Sequence, residues 1–140
     1  MATFGFYMDA ALTDPYDAGT DFVGPFIGET FPIDSVIYFG STDTGRKVQA
    51  DSDPGVDNLV VNLVDAAAGS GVETTDFKLA TTSGGLDSAV AGDPLDLGVT
   101  QLVGGVGNAV AIHVRCSYAG GIIDDQNVSL QFVDLVESTV

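Results

Sequence analysis

The sequence predicts an all-β protein that forms a single antiparallel β-sandwich of seven to nine short strands. Three observations favour this fold class. Helical periodicity is weak throughout, and 18 glycines and 5 prolines are scattered over the 140 residues. Short runs that alternate polar and apolar residues are followed by turn residues about every ten positions. With an apolar fraction of 45%, a chain of this length can bury one core, so we expect one domain over residues 1–140.

The strongest strand signal lies in residues 108–118, where side chains alternate between apolar and mixed. The apolar face of this strand carries Val110, Ile112, Val114, Cys116 and Tyr118. A second strong strand covers residues 128–136, but Asp134 interrupts its inward face, so we expect a bulge or a strand end there. Residues 57–64 are largely apolar on both faces, which is typical of a central strand covered on two sides.

Six weaker runs complete the predicted set: residues 4–8, 21–27, 36–40, 46–50, 76–80 and 95–102. Turn chemistry separates the runs, for example the Asp-Pro-Gly sequence at 53–55. An antiparallel sandwich is the economical packing for so many short strands, because each sheet must bury one face. A closed barrel is the alternative that the sequence leaves open.

Half of the aromatic residues of the chain lie in its first thirty positions. They are Phe4, Phe6, Tyr7, Tyr16, Phe22 and Phe26. One interpretation is an aromatic first hairpin that closes the core. The other is an arm, within residues 1–20, that packs on another subunit, because aromatic residues are enriched in the cores of protein interfaces. These six are therefore the candidate interface residues.

The charge balance is strongly acidic, with 20 Asp and Glu against 4 Lys and Arg and a formal net charge of −16. Such a field repels phosphate backbones and anionic lipids, so we expect neither nucleic acid nor a membrane as a partner. The balance fits a protein adapted to salty water or displayed at high local density. The first residues lack the features of a secretory signal, and Cys116 has no second cysteine to pair with, which favours synthesis in the cytoplasm.

No arrangement of residues in the sequence points to catalysis, so we predict neither an enzyme nor a cofactor. His113 is the single histidine and lies in the middle of a predicted strand, whereas a general base must meet its partner in a pocket. Cys116 is predicted to be a small buried hydrophobe. The glycine-rich stretch 104–107 precedes a strand rather than the helix that a phosphate loop requires.

Calcium is the one metal that the sequence suggests. Asp51, Asp53 and Asp57 place oxygen ligands at alternate positions, which suits a hard cation. Gly55 comes one position early for an EF-hand loop, however, and Asn62 stands where that loop needs a glutamate. A tight Asp-Pro-Gly turn explains the segment more simply, so the three aspartates are weak calcium candidates.

Three segments resemble parts of small immunoglobulin-like proteins from tailed-phage virions: residues 48–57 (VQADSDPGVD), 107–115 (GNAVAIHVR) and 128–135 (VSLQFVDL). The likeness is greatest to capsid decoration (cement) proteins and related head-surface proteins. The resemblance implies an immunoglobulin-like sandwich that is made in the host cytoplasm and sits on the capsid surface of the virion. It also implies a docking function, in which many copies bind the lattice of the major capsid protein, with a homo-oligomer such as a trimer as the expected form.

Two other functions stay open at this stage. One is a different part of the virion, such as a tail or neck component, which would occur in far fewer copies per particle. The other is a carbohydrate-binding or adhesin module, which would present aromatic side chains at its loop tips and bind sugars by itself. An enzyme or a calcium-dependent assembly factor is the least favoured class.

Overall fold

The computed structural model of the protein describes residues 3–16, 33–65, 73–117, 128–132 and 134–140. The described strands are β1 (Gly5–Tyr7), β2 (Ile33–Gly40), β3 (Arg46–Ala50), β4 (Val60–Asp65), β5 (Phe77–Ala80), β6 (Leu95–Asp96), β7 (Gln101–Val103), β8 (Val110–Cys116), β9 (Val128–Phe132) and β10 (Leu135–Thr139). Three short 3₁₀ turns cover Thr74–Asp76, Gly84–Asp87 and Val106–Asn108. These residues include no α-helix, and none of their helical turns could cross a membrane. The predicted all-β class is confirmed.

The ten strands form three antiparallel sheets. Sheet A has the strand order β1-β2-β8-β5, sheet B has β10-β3-β7, and sheet C has β6-β4-β9. Side chains from all three sheets meet in one hydrophobic cluster, whose most deeply buried members are Val48, Leu59, Val61, Phe77, Ile112 and Val114. Burying a side chain of this kind contributes about 1.5–3 kcal/mol relative to leaving it exposed. The sheets therefore pack in a sandwich-like arrangement around a common core.

Strand β8 shows the alternation that the sequence predicts. Ile112, Val114 and Cys116 are buried, whereas His113 and Arg115 between them are partly exposed. Strand β3 has the predicted bounds, and β4 lies at the centre of sheet C between β6 and β9. The predicted strand at 21–27 and the side chain of Tyr118 lie outside the described residues.

The predicted number of strands was too low, because two predicted strands are each divided in the structure. Residues 95–102 form β6 and β7, with Gly98 between them at a φ of 75°. Between these two strands the backbone forms hydrogen bonds with Leu59 instead. The N–H of Leu59 donates to the carbonyl of Val99 at 2.9 Å, and the N–H of Leu97 donates to the carbonyl of Leu59 at 2.9 Å. Residues 128–136 are divided at Asp134, where an interruption was predicted, and the chain passes there from sheet C to sheet B.

The glycine-rich stretch 104–107 packs against the turn that precedes β3. The N–H of Gly104 donates to the carbonyl of Arg46 at 2.8 Å, and that of Gly105 donates to the carbonyl of Ser41 at 2.7 Å. A Cβ atom added to Gly104 would lie 1.8 Å from the carbonyl oxygen of Asp43. Glycine is required here because two backbone segments touch, which gives the stretch a structural explanation.

Candidate functional site

Sheet A has a second face that points away from the common core. Its members follow from the strand register, because each is adjacent in sequence to a side chain that points inward. We call this surface the outer face, and it consists of Tyr7, Asp34, Val36, Tyr38, Lys78, Ala80, Ala111, His113 and Arg115. All of these side chains except Asp34, which is exposed, and Ala80, which is buried, are partly exposed. The outer face is thus a β-sheet surface with partial access to solvent.

The register arranges the outer face in three rows that run across the strands. Tyr7 lies opposite Tyr38, which in turn lies opposite Ala111. The middle row places Val36, His113 and Ala80 side by side, and the last row places Asp34, Arg115 and Lys78 side by side. The face therefore changes from aromatic at one end to charged at the other.

Two buried leucines, Leu12 and Leu86, lie outside the main core cluster. Leu12 packs toward the aromatic end, where a Cβ atom added to Gly40 would come within 3.2 Å of its Cδ1 atom. Leu86 belongs to the 3₁₀ turn Gly84–Asp87, in which a Cβ atom added to Gly85 would lie 3.1 Å from the Cβ of Ala80. Loops thus pack against two regions of this side of sheet A.

The turn that carries Leu12 is organised by Asp9. Its carboxylate accepts hydrogen bonds from the backbone N–H groups of Thr13 and Asp14, both at 2.9 Å, and from the hydroxyl of Thr13. The bond from the Thr13 hydroxyl is the main cause that lowers the pKa of Asp9. The turn fixes Leu12 in the left-handed region, at a φ of 56°, which is uncommon for a residue with a Cβ atom.

The charged end of the outer face is built around Arg115. Its guanidinium donates to both carboxylate oxygens of Asp34, from Nε at 2.7 Å and from Nη2 at 3.1 Å, and Nη1 donates to Asp87 at 2.8 Å. These bonds, above all the one to Asp34, raise the pKa of Arg115, and hydrogen bonding to Arg115 lowers the pKa of Asp34. Arg115 also lies directly opposite Lys78 in the sheet, so the two carboxylates offset a repulsion between like charges.

Four polar side chains of the outer face have hydrogen-bonding groups that no other described residue pairs with. The hydroxyls of Tyr7 and Tyr38, the ammonium of Lys78 and the imidazole of His113 bond to no other described side chain or backbone group. The two arginines are paired, because Arg115 binds Asp34 and Asp87, and Arg46 lies 3.5 Å from Glu137, whereas neither Lys47 nor Lys78 has an ion pair among the described residues. Lys78 is the one of these two lysines that lies on the outer face.

The predicted interface residues of the first segment are divided between the core and the outer face. Phe4 is buried, with its ring centroid 6.1 Å from that of Phe39. Phe6 packs against Phe39, Tyr16 and Phe132 at centroid distances of 5.2, 5.7 and 5.7 Å. These three predicted residues, Phe4, Phe6 and Tyr16, thus contribute to the chain's own core, as the interpretation of a core-closing hairpin expects.

Tyr7 is the described candidate whose side chain is on the outer face, because it follows the inward-pointing Phe6 in β1. Phe22 and Phe26 lie outside the described residues. Sequence reasoning missed Tyr38 and Lys78, which the register places on the same face as Tyr7. The scarcity of lysine in so acidic a chain was a signal that could have drawn attention to Lys78, although Lys47 shares it.

The same first segment is fastened to β10 by Glu137. The Oε1 atom of Glu137 accepts from the backbone N–H groups of Thr3 at 2.7 Å and Phe4 at 2.9 Å, and Oε2 accepts from the Thr3 hydroxyl at 3.1 Å. Arg46 lies 3.5 Å from Oε2, and the side chain of Glu137 is only 14% exposed. Burial by itself would raise the pKa of Glu137, but the bonds from Phe4, Thr3 and Arg46 outweigh burial and lower it.

A cleft of about 560 Å³ lies beside the turn between β3 and β4. The aspartates that line it are Asp51, Asp57, Asp96 and Asp134. The structure does not bring the calcium candidates Asp51, Asp53 and Asp57 together, because no group of three metal-binding side chains occurs among the described residues. Instead, the carbonyl of Asp53 accepts the N–H groups of Val56 and Asp57, each at 3.0 Å, which forms a tight turn.

The two residues considered for chemistry are both in β8. Cys116 is fully buried, as predicted for a small hydrophobe. His113 is partly exposed on the outer face, between Val36 and Ala80. No family model, curated protein or solved structure matches the chain.

Proposed function

We propose that this protein is a non-enzymatic structural protein of a tailed-bacteriophage virion that binds the major capsid protein lattice on the outside of the capsid. The observation that carries the proposal is the outer face of sheet A. It combines partly exposed tyrosines with polar groups that have no hydrogen-bond partner in the part of the chain that the structure describes. Tyrosine is enriched at protein interfaces because its ring buries a large apolar area while its hydroxyl forms a hydrogen bond.

The sequence resemblance supports the part of the proposal that assigns the protein to the outside of a phage capsid. Residues 107–115 include most of β8, and residues 48–57 include the end of β3 with the turn that follows. The likeness to decoration proteins thus falls on one of the two inner strands of sheet A and on a strand of sheet B. A protein that binds only the assembled shell stabilises that shell by mass action, which is the physical role of a cement protein.

The net charge of −16 sets a condition on the proposal. Copies that crowd on one particle repel each other, and the repulsion reaches about 30 Å at 0.01 M salt but only about 3 Å at 1 M salt. We therefore expect fewer copies on particles that are dialysed into dilute buffer than on particles kept at high salt. An unchanged copy number in dilute buffer would contradict this explanation of the acidic surface.

Quantitative mass spectrometry of purified virions that encode this chain tests the function itself. A decoration protein is expected at a copy number of the same order as that of the coat protein. A number far below it would indicate a tail or neck component, and absence from the particle would overturn the virion assignment. Binding of the isolated protein to a glycan array would favour the carbohydrate-binding alternative.

A further inference from the structure

We infer that the peptide bond between Asp53 and Pro54 is a self-cleavage site, which the Asp53 side chain opens in mild acid to give fragments 1–53 and 54–140. The inference is independent of the proposed function, because it concerns a single-turnover reaction of the chain on itself. Two properties make an aspartyl–prolyl bond reactive. The aspartate carboxylate can attack its own carbonyl carbon, and the tertiary nitrogen of proline leaves more readily than an ordinary amide nitrogen once it is protonated.

The reaction balances with water as its only co-reactant. An Oδ atom of Asp53 bonds to the carbonyl carbon of the same residue, which closes a ring and places negative charge on the carbonyl oxygen. The bond between this carbon and the Pro54 nitrogen then breaks, and the nitrogen keeps the electron pair and takes a proton from solvent. Water opens the resulting cyclic anhydride, which leaves two carboxyl groups on Asp53.

Three aspartyl–prolyl bonds occur in the sequence, and they follow Asp14, Asp53 and Asp93. The aspartate and the proline are exposed at all three, so access to water does not distinguish them. The bond after Asp14 lies in a hairpin, where its proline forms a bridge with Tyr7 and the Asp14 carbonyl accepts one N–H, from Met8 at 2.8 Å. The carbonyl of Asp93 accepts no backbone N–H from another described residue.

The carbonyl of Asp53 differs from the other two, because it accepts two backbone N–H groups. They come from Val56 and Asp57, each at 3.0 Å. Two N–H groups directed at one carbonyl oxygen stabilise the negative charge of the tetrahedral intermediate in acyl-transfer sites. The side chain of Asp53 forms no hydrogen bond or ion pair with another described residue. Its carboxylate can therefore rotate toward the carbonyl carbon without breaking a bond.

The charged side chains that line the cleft beside this turn are all carboxylates. Asp51 and Asp57 belong to the turn itself, and Asp96 and Asp134 lie across the cleft. Their negative charge attracts the proton that the Pro54 nitrogen must take before it leaves. The same charge opposes negative charge on the carbonyl oxygen, so the two N–H donors are needed at this position.

Cleavage in this turn leaves each new chain end next to a strand that a sheet already holds. Strand β3, before the turn, pairs with β7 and β10, and β4, after the turn, pairs with β6 and β9. Fragment 1–53 also keeps β2, which pairs with β8 of the other fragment. The cleaved protein is therefore expected to remain one folded unit made of two chains.

Intact-mass spectrometry of the purified full chain measures the rate of cleavage at each of the three bonds. The chain is incubated at the lowest pH at which circular dichroism shows it to be folded. Cleavage after Asp53 is expected to be about tenfold faster than after Asp14 or Asp93, a smaller factor than buried donors supply in enzymes, because this turn is exposed to water. In urea at the same pH, which releases the donors, the three rates are expected to become similar.

Two pairs of variants test the residues involved. Asp53→Glu keeps the charge but requires a larger ring, so it is expected to abolish the fast cleavage, whereas Asp93→Glu is the matched control and should leave the fast cleavage unchanged. Val56→Pro removes one of the two N–H donors and is expected to slow cleavage after Asp53 severalfold relative to Val56→Ala, which keeps that donor. Thermal melts check that each variant is folded.

Three results would overturn the inference. They are equal rates at the three bonds in the folded chain, a folded chain that stays intact under conditions that cleave it in urea, and fast cleavage that persists in Asp53→Glu. A Val56→Pro variant that is cleaved as fast as Val56→Ala would contradict the role of the donors. None of these measurements involves virus particles, so failure of the proposed function would leave their outcome unchanged.

Discussion

Two charged clusters connect distant parts of this chain, and they differ in how they do so. Glu137 on β10 binds the backbone at Thr3 and Phe4, and its side chain is 14% exposed. Arg115 on β8 binds Asp34 and Asp87, whose side chains are 44% and 75% exposed. The first cluster satisfies backbone donors in a partly buried place, whereas the second joins side chains that water and salt reach more freely.

The number of bonds does not decide which of the two clusters contributes more to the stability of the fold. Exposed ion pairs contribute little to stability, because water competes for both partners and salt screens their attraction. A carboxylate that accepts backbone N–H groups is different, because its removal leaves donors without a partner in a poorly hydrated place. We therefore expect Glu137 to matter for the fold, and Arg115 mainly for the properties of the outer face.

The largest effect is expected for Glu137→Ala. It removes the acceptor for the N–H groups of Thr3 and Phe4 and leaves Arg46 without its carboxylate. The free energy of unfolding should fall by about 3 kcal/mol, measured by urea denaturation. Glu137→Gln is the control that keeps one carbonyl acceptor and should cost about half as much. A loss below about 0.5 kcal/mol for Glu137→Ala would remove the distinction between the clusters.

The next effect is a dependence on pH. Because the pKa of Glu137 is lowered in the folded state, its contribution is fully present above the unfolded pKa of about 4.3. It is lost as the pH falls through the folded pKa. The difference in melting temperature between wild type and Glu137→Gln should therefore be constant from neutral pH down to about 5 and shrink below about 4. A difference that grows on acidification would contradict the lowered pKa.

A smaller effect is expected for Arg115→Gln. The variant loses the bonds to Asp34 and Asp87, but both carboxylates can return to water. Its melting temperature should differ from that of the wild type by less than that of Glu137→Gln does, and the difference should vanish in about 1 M salt. A salt-independent loss as large as that of Glu137→Ala would show that the exposed cluster also supports the fold.

The smallest effect is expected for Asp87→Asn. Asp87 is the most exposed member of its cluster, and Arg115 keeps its two bonds to Asp34 when Asp87 is neutralised. Thermal melts should not distinguish the variant from the wild type.

The fold class was predictable because strand periodicity is a local signal. The alternation in residues 108–118 predicted the buried faces of Ile112 and Val114, and the interruption at Asp134 was also visible in the sequence. The division of residues 95–102 was not predictable, because it depends on backbone bonds between Leu59 and a segment far along the chain. A strand count predicted from sequence is too low when a distant backbone segment forms hydrogen bonds with the middle of an apolar run and divides the strand.

The site was harder to predict than the fold, because it is assembled by register between distant strands. Glu137 is 134 residues from Thr3, and no local pattern shows that the two meet. The aromatic residues of the first segment show the same limit. Phe6 and Tyr7 are adjacent in sequence and equally aromatic, yet the alternation of β1 sends Phe6 into the core and Tyr7 to the outer face.

The bonds from Thr3 to Glu137 also bring the two ends of the described chain to one edge of the molecule. The N–H of Val140 donates to the carbonyl of Gly45 at 3.0 Å, so the last residue is held beside the turn that precedes β3. A short linker could therefore join the two ends, with new termini opened in the exposed turn at residues 53–56. A peptide joined at Thr3 and one joined at Val140 would start from the same edge, which makes the described part of the protein a suitable scaffold for one-sided display.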